Sequence, residues 1–424
     1  MVLPLNQLSA SEIACGVASG RFTAEAVTRA CLDRVEERDT QVRAWAFIDP
    51  ELALKQARAV DQAANKGVLA GVPLGIKDII DTFEMPTDMG SPIYRNNRTF
   101  ADASSVALAR RAGAVILGKT ITCEFAGLTP NVTRNPHNLE HTPGGSSSGS
   151  AAAVADFMCT VAYGTQTGGS VLRPASFNGA VGYKPTYNLI PRGGMKFAAE
   201  SRDTIGLIGR SVDDVDLVGS VLIARPLAPR RDGAPKIGLC RTYLWDTALP
   251  ESKHAVEDAA RRFAAAGAEI VDVALPDSFS ALQEARTVVN PVERAKALAH
   301  EWNTHRALIS AGLTRQVEEG LSIPHDRYIA SLKRIKQCRD QVPDVFGDCD
   351  ILLAPAVTGE APKGLDYTGD TRFQEFWTAL HTPTITLPGY KGPNGLPIGI
   401  QLAGRLYEDE LLLSCARWCA ERLA

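Results

Sequence analysis

The chain has 424 residues, of which 45% are hydrophobic and 22% charged, with a formal net charge of −3 at pH 7. That length allows one large domain or two and the composition is that of a globular protein, while the slight acidity argues against a nucleic-acid partner or a polybasic membrane patch. The nine cysteines are scattered and odd in number, without a C-x-x-C pair or a His/Cys cluster at zinc spacing, so they read as reduced thiols of a cytoplasmic protein.

The first residues, MVLPLNQLSASEIACGVASGRF, lack the basic start and continuous apolar run of a secretory signal. They read as a short helix opened by a capping box from Ser9 to Glu12. No stretch approaches about 18 uninterrupted apolar residues, so a membrane-spanning helix is not expected. A second helix, capped at Thr23, places Ala26, Val27, Ala30, Cys31 and Val35 on one face. RAWAFI reads as a strand, and a helix over 50–64 ends before Gly67.

GVLAGVPLGIKDIIDT reads as an apolar strand that delivers Lys77 from within apolar surroundings. Loss of hydration disfavours the charged amine and pulls its pKa below the free value of about 10.4, as a lysine base requires. The plainer reading is a strand-end lysine paired with Asp78. Next, Gly113, Gly118, Lys119 and Thr120 match the phosphate-loop pattern G-x-x-x-x-G-K-T. The intervening Ala114, Val115, Ile116 and Leu117 make a buried strand instead of a loop of inward-turned amides, so nucleotide binding is not expected.

The stretch 142–175 holds two glycine-serine clusters, 144–150 and 168–170, separated by an apolar segment. Glycine permits close backbone approach and positive φ, and the serines supply hydroxyls. SAAAVA, directly after the first cluster, reads as a helix whose free amides and positive dipole end face those serines. Two such turns side by side suit attack on a carbonyl and capture of the resulting oxyanion. Gly145, Ser147 and Gly149 also satisfy G-x-S-x-G, the nucleophile elbow that follows a buried strand in α/β-hydrolases. Here the preceding HNLEHTPG is polar and proline-containing, and His254, His300, His305, His325 and His381 lie in no distinctive loop, so that reading is set aside.

Downstream, the proline-rich, charged segment 222–236 is the best candidate for a linker. KIGLC, a helix through HAVEDAARRFAAAGA, and EIVDVAL form a strand-helix-strand crossover. Residues 281–341 read as mostly helical, DILLAP, TPTITLP and LPIGIQLAG as strands, and 409–423 as a final amphipathic helix. The alternation of strands and helices implies an α/β layered fold.

PGGSSSGSAAAVA, followed by GTQTGGSVLRPASFNGAVGYKPT and preceded by GVPLGIKDIIDT, resembles the amidase signature family, serine hydrolases with a Ser, cis-Ser, Lys triad. The resemblance runs on through GRSVDD near Ser211 to LPIGIQLAG near Gly404 and so covers most of the chain. It implies the amidase signature fold, a large mixed β-sheet sandwiched between helical layers, in a single domain over 1–424. Its core would span about 65–220, the linker about 222–236, and the part from about 236 to 424 would complete the sheet and the substrate pocket.

Carried over residue by residue, the resemblance makes Ser170 the nucleophile, Ser146 the bridging serine after a cis Gly145–Ser146 peptide, and Lys77 the base. The amides of Thr167, Gly168, Gly169 and Ser170 would form the oxyanion hole, with Ser147 and Thr165 supporting them from behind. The implied enzyme is an amidohydrolase for C–N bonds other than peptide bonds, acting without metal or organic cofactor on a small-molecule amide, aryl amide or carbamate, with side esterase activity. A homodimer is left open. The alternatives are a glutaminase subunit of a multi-subunit amidotransferase and a non-catalytic binding protein, the last disfavoured by the intact Lys77, Ser146 and Ser170.

The chain departs from the family's pattern at Gln166, where Asp is usual, and at Leu172, where Arg is usual, with Arg173 one position later. Loss of both members of a buried ion pair is far less destabilising than loss of one, and that account requires Leu172 to lie away from the substrate cavity. Specificity is expected from 281–341, the least recognisable segment.

Overall fold

The computed structural model describes residues 3–423. Its strands are β1 (Trp45–Ile48), β2 (Pro73–Lys77), β3 (Val115–Thr120), β4 (Val161–Gln166), β5 (Val181–Lys184), β6 (Thr204–Gly209), β7 (Lys236–Leu239), β8 (Glu269–Asp272), β9 (Ile351–Pro355), β10 (Thr384–Lys391) and β11 (Pro397–Ala403). They form one eleven-stranded sheet in the order β1-β3-β2-β4-β6-β5-β10-β11-β9-β7-β8. Strand β2 is parallel to both β3 and β4, and β7 to both β8 and β9, while the pairs between these groups are antiparallel. Every residue of β2, β3, β4, β5, β6, β9 and β11 is buried. Both faces of the sheet are therefore covered by helices, and the fold is the mixed α/β layered one expected.

Local signals explain most element ends. Ser9 and Glu12 form the reciprocal capping box that opens the helix Ala10–Ala18. Thr23 accepts from the Ala26 amide and caps the helix Ala24–Val42. The buried face of that helix is Ala24, Val27, Thr28, Cys31 and Val35, whereas Ala26 and Ala30 are only half-buried. Asp61 accepts from the amides of Ala24 and Glu25 at the start of that helix. The helix expected over 50–64 is Pro50–Gln62, because Ala63 already has extended backbone.

The crossover after the linker candidate forms as read: β7, the helix Pro250–Ala265 and β8, with β7 and β8 parallel neighbours. The candidate linker itself is shorter than its sequence suggests, since the helix Val212–Ile223 runs into it and β7 begins at Lys236. Ion pairs from Arg225 to Asp216 and from Arg231 to Asp350 tie the intervening coil down. Residues 281–346 are almost wholly helical and contribute Leu282, Val289 and Ile335 to a second apolar cluster that also takes in Phe279. All nine cysteines are free thiols, and among the described residues no helix is long and apolar enough to cross a membrane.

Strand β3 removes the phosphate-loop candidate. Lys119 is fully buried within it and donates to Pro86 O at 3.1 Å and Thr87 Oγ1 at 2.6 Å. It also takes Asp78 as its ion-pair partner at 3.1 Å. The plainer reading of Lys77, a pair with Asp78, is thereby corrected: neighbouring side chains leave a strand on opposite faces, and Asp78 is engaged on the side of Lys119.

Candidate active site

Strand β2 carries Lys77 to its last position, where the side chain has no solvent exposure. The amine donates to Thr165 Oγ1 at 2.8 Å and lies 2.8 Å from Ser146 Oγ, with Thr165 O at 3.4 Å. Burial depresses its pKa from 10.5 to about 7, with Arg294 and Arg173 adding to the depression while Cys123 and Asp203 oppose it. At neutral pH a substantial fraction of this amine is uncharged and able to accept a proton.

Ser146 is reached by a turn that only glycine can make. Gly144 has φ of +78°, and a Cβ there would come 3.0 Å from Pro174 Cα. At Gly145 a Cβ would meet Thr368 and the Cys123 thiol. The peptide from Gly145 to Ser146 is cis, as the resemblance implies. The helix Ser148–Ala155 then leaves directly from the turn. Ser147 braces it against β4, accepting from the Thr165 amide at 3.3 Å, while Ser150 donates to Tyr163 O at 2.8 Å. Both are scaffold contacts.

The second cluster follows β4. Gly168 O accepts from Thr378 Oγ1 at 2.7 Å and Gly169 O accepts from the Arg173 amide at 2.9 Å. With those carbonyls held outward, the amides of Thr167, Gly168, Gly169 and Ser170 donate to no protein group among the described residues. A Cβ on Gly169 would lie 2.5 Å from Gln374 Oε1. The loop is closed from inside by Gln166, whose Oε1 accepts from the amides of Val171 at 2.9 Å and Leu172 at 3.1 Å, and whose Nε2 donates to Thr378 Oγ1 at 3.0 Å. Leu172 is fully buried in the core, away from the cavity, as the account of the double departure requires. Arg173 is buried too, and its guanidinium donates to Gly369 O, Gly145 O and Thr368 Oγ1. It thus ties the cis-peptide turn to the segment around Gly369.

Ser170 is 9% exposed and borders a cavity of about 380 Å³. Its carbonyl accepts from the Ser147 amide at 3.3 Å, which joins the two clusters. Its hydroxyl makes no hydrogen bond among the described residues, so the expected line from Ser170 through Ser146 to Lys77 is closed at Lys77 and open at Ser170. None of the five histidines weighed for a nucleophile elbow borders this cavity; His381, for example, stacks on Tyr187 at 3.9 Å. Among the described residues no three His, Cys, Asp or Glu side chains are grouped to hold a metal ion.

Several groups at the site escape sequence reasoning. Asp203 accepts from Thr167 Oγ1 and from the amides of Ala198 and Ala199. Gln374, Glu375 and Thr378 come from the helix Arg372–Ala379, and Arg286, Asn290 and Arg294 from the helix Ala281–Ala297. The i, i+4, i+8 spacing of the last three was the available signal, and it places part of 281–341 in the cavity wall.

Comparison with known proteins agrees with this architecture. The family model described as Amidase matches residues 26–413. A Glutamyl-tRNA(Gln) amidotransferase subunit from Desulforapulum autotrophicum is 31% identical over 99% of this chain and 98% of its own length. Its namesake from Roseiflexus castenholzii is 34% identical over 97% and 94%. Among solved structures, the native peptide amidase from Stenotrophomonas maltophilia superposes with a TM-score of 0.86 at 28% identity, covering 99% of this chain and 98% of that one.

Proposed function

The chain belongs to the amidase family and is a C–N hydrolase acting on amides, and we propose that it cleaves a small or medium carboxylic amide through an acyl-enzyme on Ser170. Ser170 Oγ attacks the amide carbonyl, and as its proton leaves, Ser146 relays a proton to the neutral amine of Lys77. The negative oxygen rests among the amides of residues 167–170, where each donor typically contributes roughly a hundredfold or more in rate. The ammonium of Lys77 returns the proton through Ser146 to the departing nitrogen, and water then repeats the route to release the acid. Hydrogen bonds of this kind tighten when substrate arrives, and in this reading the open link from Ser170 to Ser146 closes at that stage.

The observation that carries the reading is the desolvated amine of Lys77 at 2.8 Å from Ser146, next to a loop of unused amides. Mass spectrometry of enzyme quenched during turnover of an activated ester tests it. An acyl mass on the peptide containing Ser170 is expected, and an adduct elsewhere overturns the assignment.

A second reading is a component of an amidotransferase that works with partner chains, favoured by the relatives of that name, which match nearly end to end. Those relatives are named as amidotransferase subunits and not as glutaminases, so this reading is of an amidotransferase subunit and the glutaminase assignment is dropped. Copurification with stable partners, and amide hydrolysis that depends on them, would select it.

A further inference from the structure

The helix Ala281–Ala297 brings Arg294 to the wall of the cavity that Ser170 borders. The residue is 7% exposed, and one amino group of its guanidinium donates to Phe125 O at 2.6 Å. Its other donors have no protein partner, and no carboxylate forms an ion pair with it among the described residues. Arg173, on the same cavity, likewise has no ion-pair partner, but its two amino groups are spent on Gly369, Gly145 and Thr368. Burial draws both guanidiniums toward losing their proton, and the charges of Asp203 and Glu124 oppose this at Arg294 without forming an ion pair with it.

The buried and half-buried acidic groups around the cavity are already engaged. Glu375 is taken by Arg286 and by Thr371, Asp370 by Arg372, and Glu319 lies exposed at the rim. Deeper in, Asp203 is turned to Thr167 and two amides, and Glu124 accepts from the Ser310 amide. What remains beside Ser170 is an unspent guanidinium in a desolvated wall, a costly arrangement unless an anion arrives to meet it. Arginine presents several donors in a planar fork suited to a carboxylate.

We propose that the amides this enzyme hydrolyses carry a carboxylate, seated on the free donors of Arg294; the inference rests on the reading of Ser170 as the attacked-carbonyl site. The carboxylate can belong to the acyl half, as in the monoamide of a dicarboxylic acid, or to the amine half, as in an N-acyl amino acid.

Two matched pairs separate these sources: succinamic acid against butyramide, and N-acetylglycine against N-propylacetamide. The carboxylated member of one pair is expected to have a kcat/KM roughly tenfold to a hundredfold above its neutral partner, the range of a hydrogen-bonded charge. In Arg294→Met the ratio falls to about one, and in Arg294→Lys, which keeps the charge and guards against a variant that does not fold, part of it survives. Binding is read separately as a rise in Tm of Ser170→Ala with the carboxylated amide of that pair, a rise absent in the Ser170→Ala, Arg294→Met double variant. Wild-type enzyme that hydrolyses neutral amides with no preference for the carboxylated partner, or a preference that persists in Arg294→Met, overturns the anion site and leaves the amidase reading intact. Arg294-dependent binding of these acids without any turnover does the reverse.

Discussion

Lys77 Nζ and Ser146 Oγ lie 2.8 Å apart in a place where neither residue meets bulk solvent, at 0% and 1% exposure. A lysine at such a depth is useful as a base because its charged form has lost its hydration. The second partner of the amine, Thr165 Oγ1, holds it from the side of β4. With its own N–H groups directed at Thr165, the neutral amine keeps its lone pair for a proton arriving from Ser146.

The pH dependence follows from that burial. The amine accepts a proton only when neutral, and burial brings its pKa to about 7. The neutral fraction therefore grows as pH rises through about 7, so kcat/KM should climb across neutrality and level off above it. A pH–rate profile on a neutral amide checks this. A flat profile from pH 5 to pH 9, about two units either side of the inflection, would mean that no group with this titration limits the reaction.

Gly169 has no room for a side chain, since a Cβ would sit 2.5 Å from Gln374 Oε1. Gln374 is fully buried and cannot swing away into solvent. Gly169→Ala should therefore push the loop and its amides out of line, lowering kcat by about a hundredfold, the effect of a lost oxyanion donor. Steady-state kinetics alongside circular dichroism separates this from unfolding.

Gln166 stands where an acidic residue is usual in the family pattern, and it serves the amides of Val171 and Leu172 together. Gln166→Leu leaves both buried amides without an acceptor. Each such loss destabilises by about 1–3 kcal/mol, so the midpoint of urea unfolding should fall clearly. An unchanged midpoint would show that water or the neighbouring backbone replaces the glutamine.

Lys184 is a third fully buried lysine, bonded only to Pro185 O at 2.9 Å, and burial lowers its pKa to about 7 against the pull of Asp409. Between pH 7 and pH 10 the unfolded chain binds this proton and the folded chain releases it, so stability contributed at this position increases with pH. At and below pH 7 the fold carries the full burden of a buried charge. Lys184→Met should stabilise the protein by about 1–4 kcal/mol at pH 7, with the gain shrinking toward pH 10. Chemical denaturation at the two pH values measures it.

The parts that sequence reveals are those whose chemistry is written in consecutive residues. The turns around Gly144 and Gly168 and the strand ending at Lys77 each announce a backbone or solvation constraint locally, so their convergence could be anticipated. The false phosphate loop at Lys119 was separable for the same reason, because four apolar residues cannot form an amide cradle. Thr378 is 212 positions from Gln166 in the chain, on a helix whose pattern is ordinary, and nothing local marks it as the group that orients Gly168. Arg294 carries only the i, i+4, i+8 spacing it shares with Arg286 and Asn290, and such a polar stripe on an amphipathic helix reads as solvent-facing until packing shows it facing a cavity. The open Ser170–Ser146 link was also beyond reach, since it depends on a side-chain rotation and not on residue type.

The central claim is that Ser170 attacks and that the amine of Lys77 moves the proton, and the most direct test compares Ser170→Ala and Lys77→Ala on an amide and on the matching activated ester. An ester leaving group needs less help from a proton donor. The account predicts that Ser170→Ala is inert on both substrates and that Lys77→Ala loses far more amide than ester turnover. Full turnover by Ser170→Ala would contradict the attack, and equal losses on the two substrates would contradict the role of Lys77.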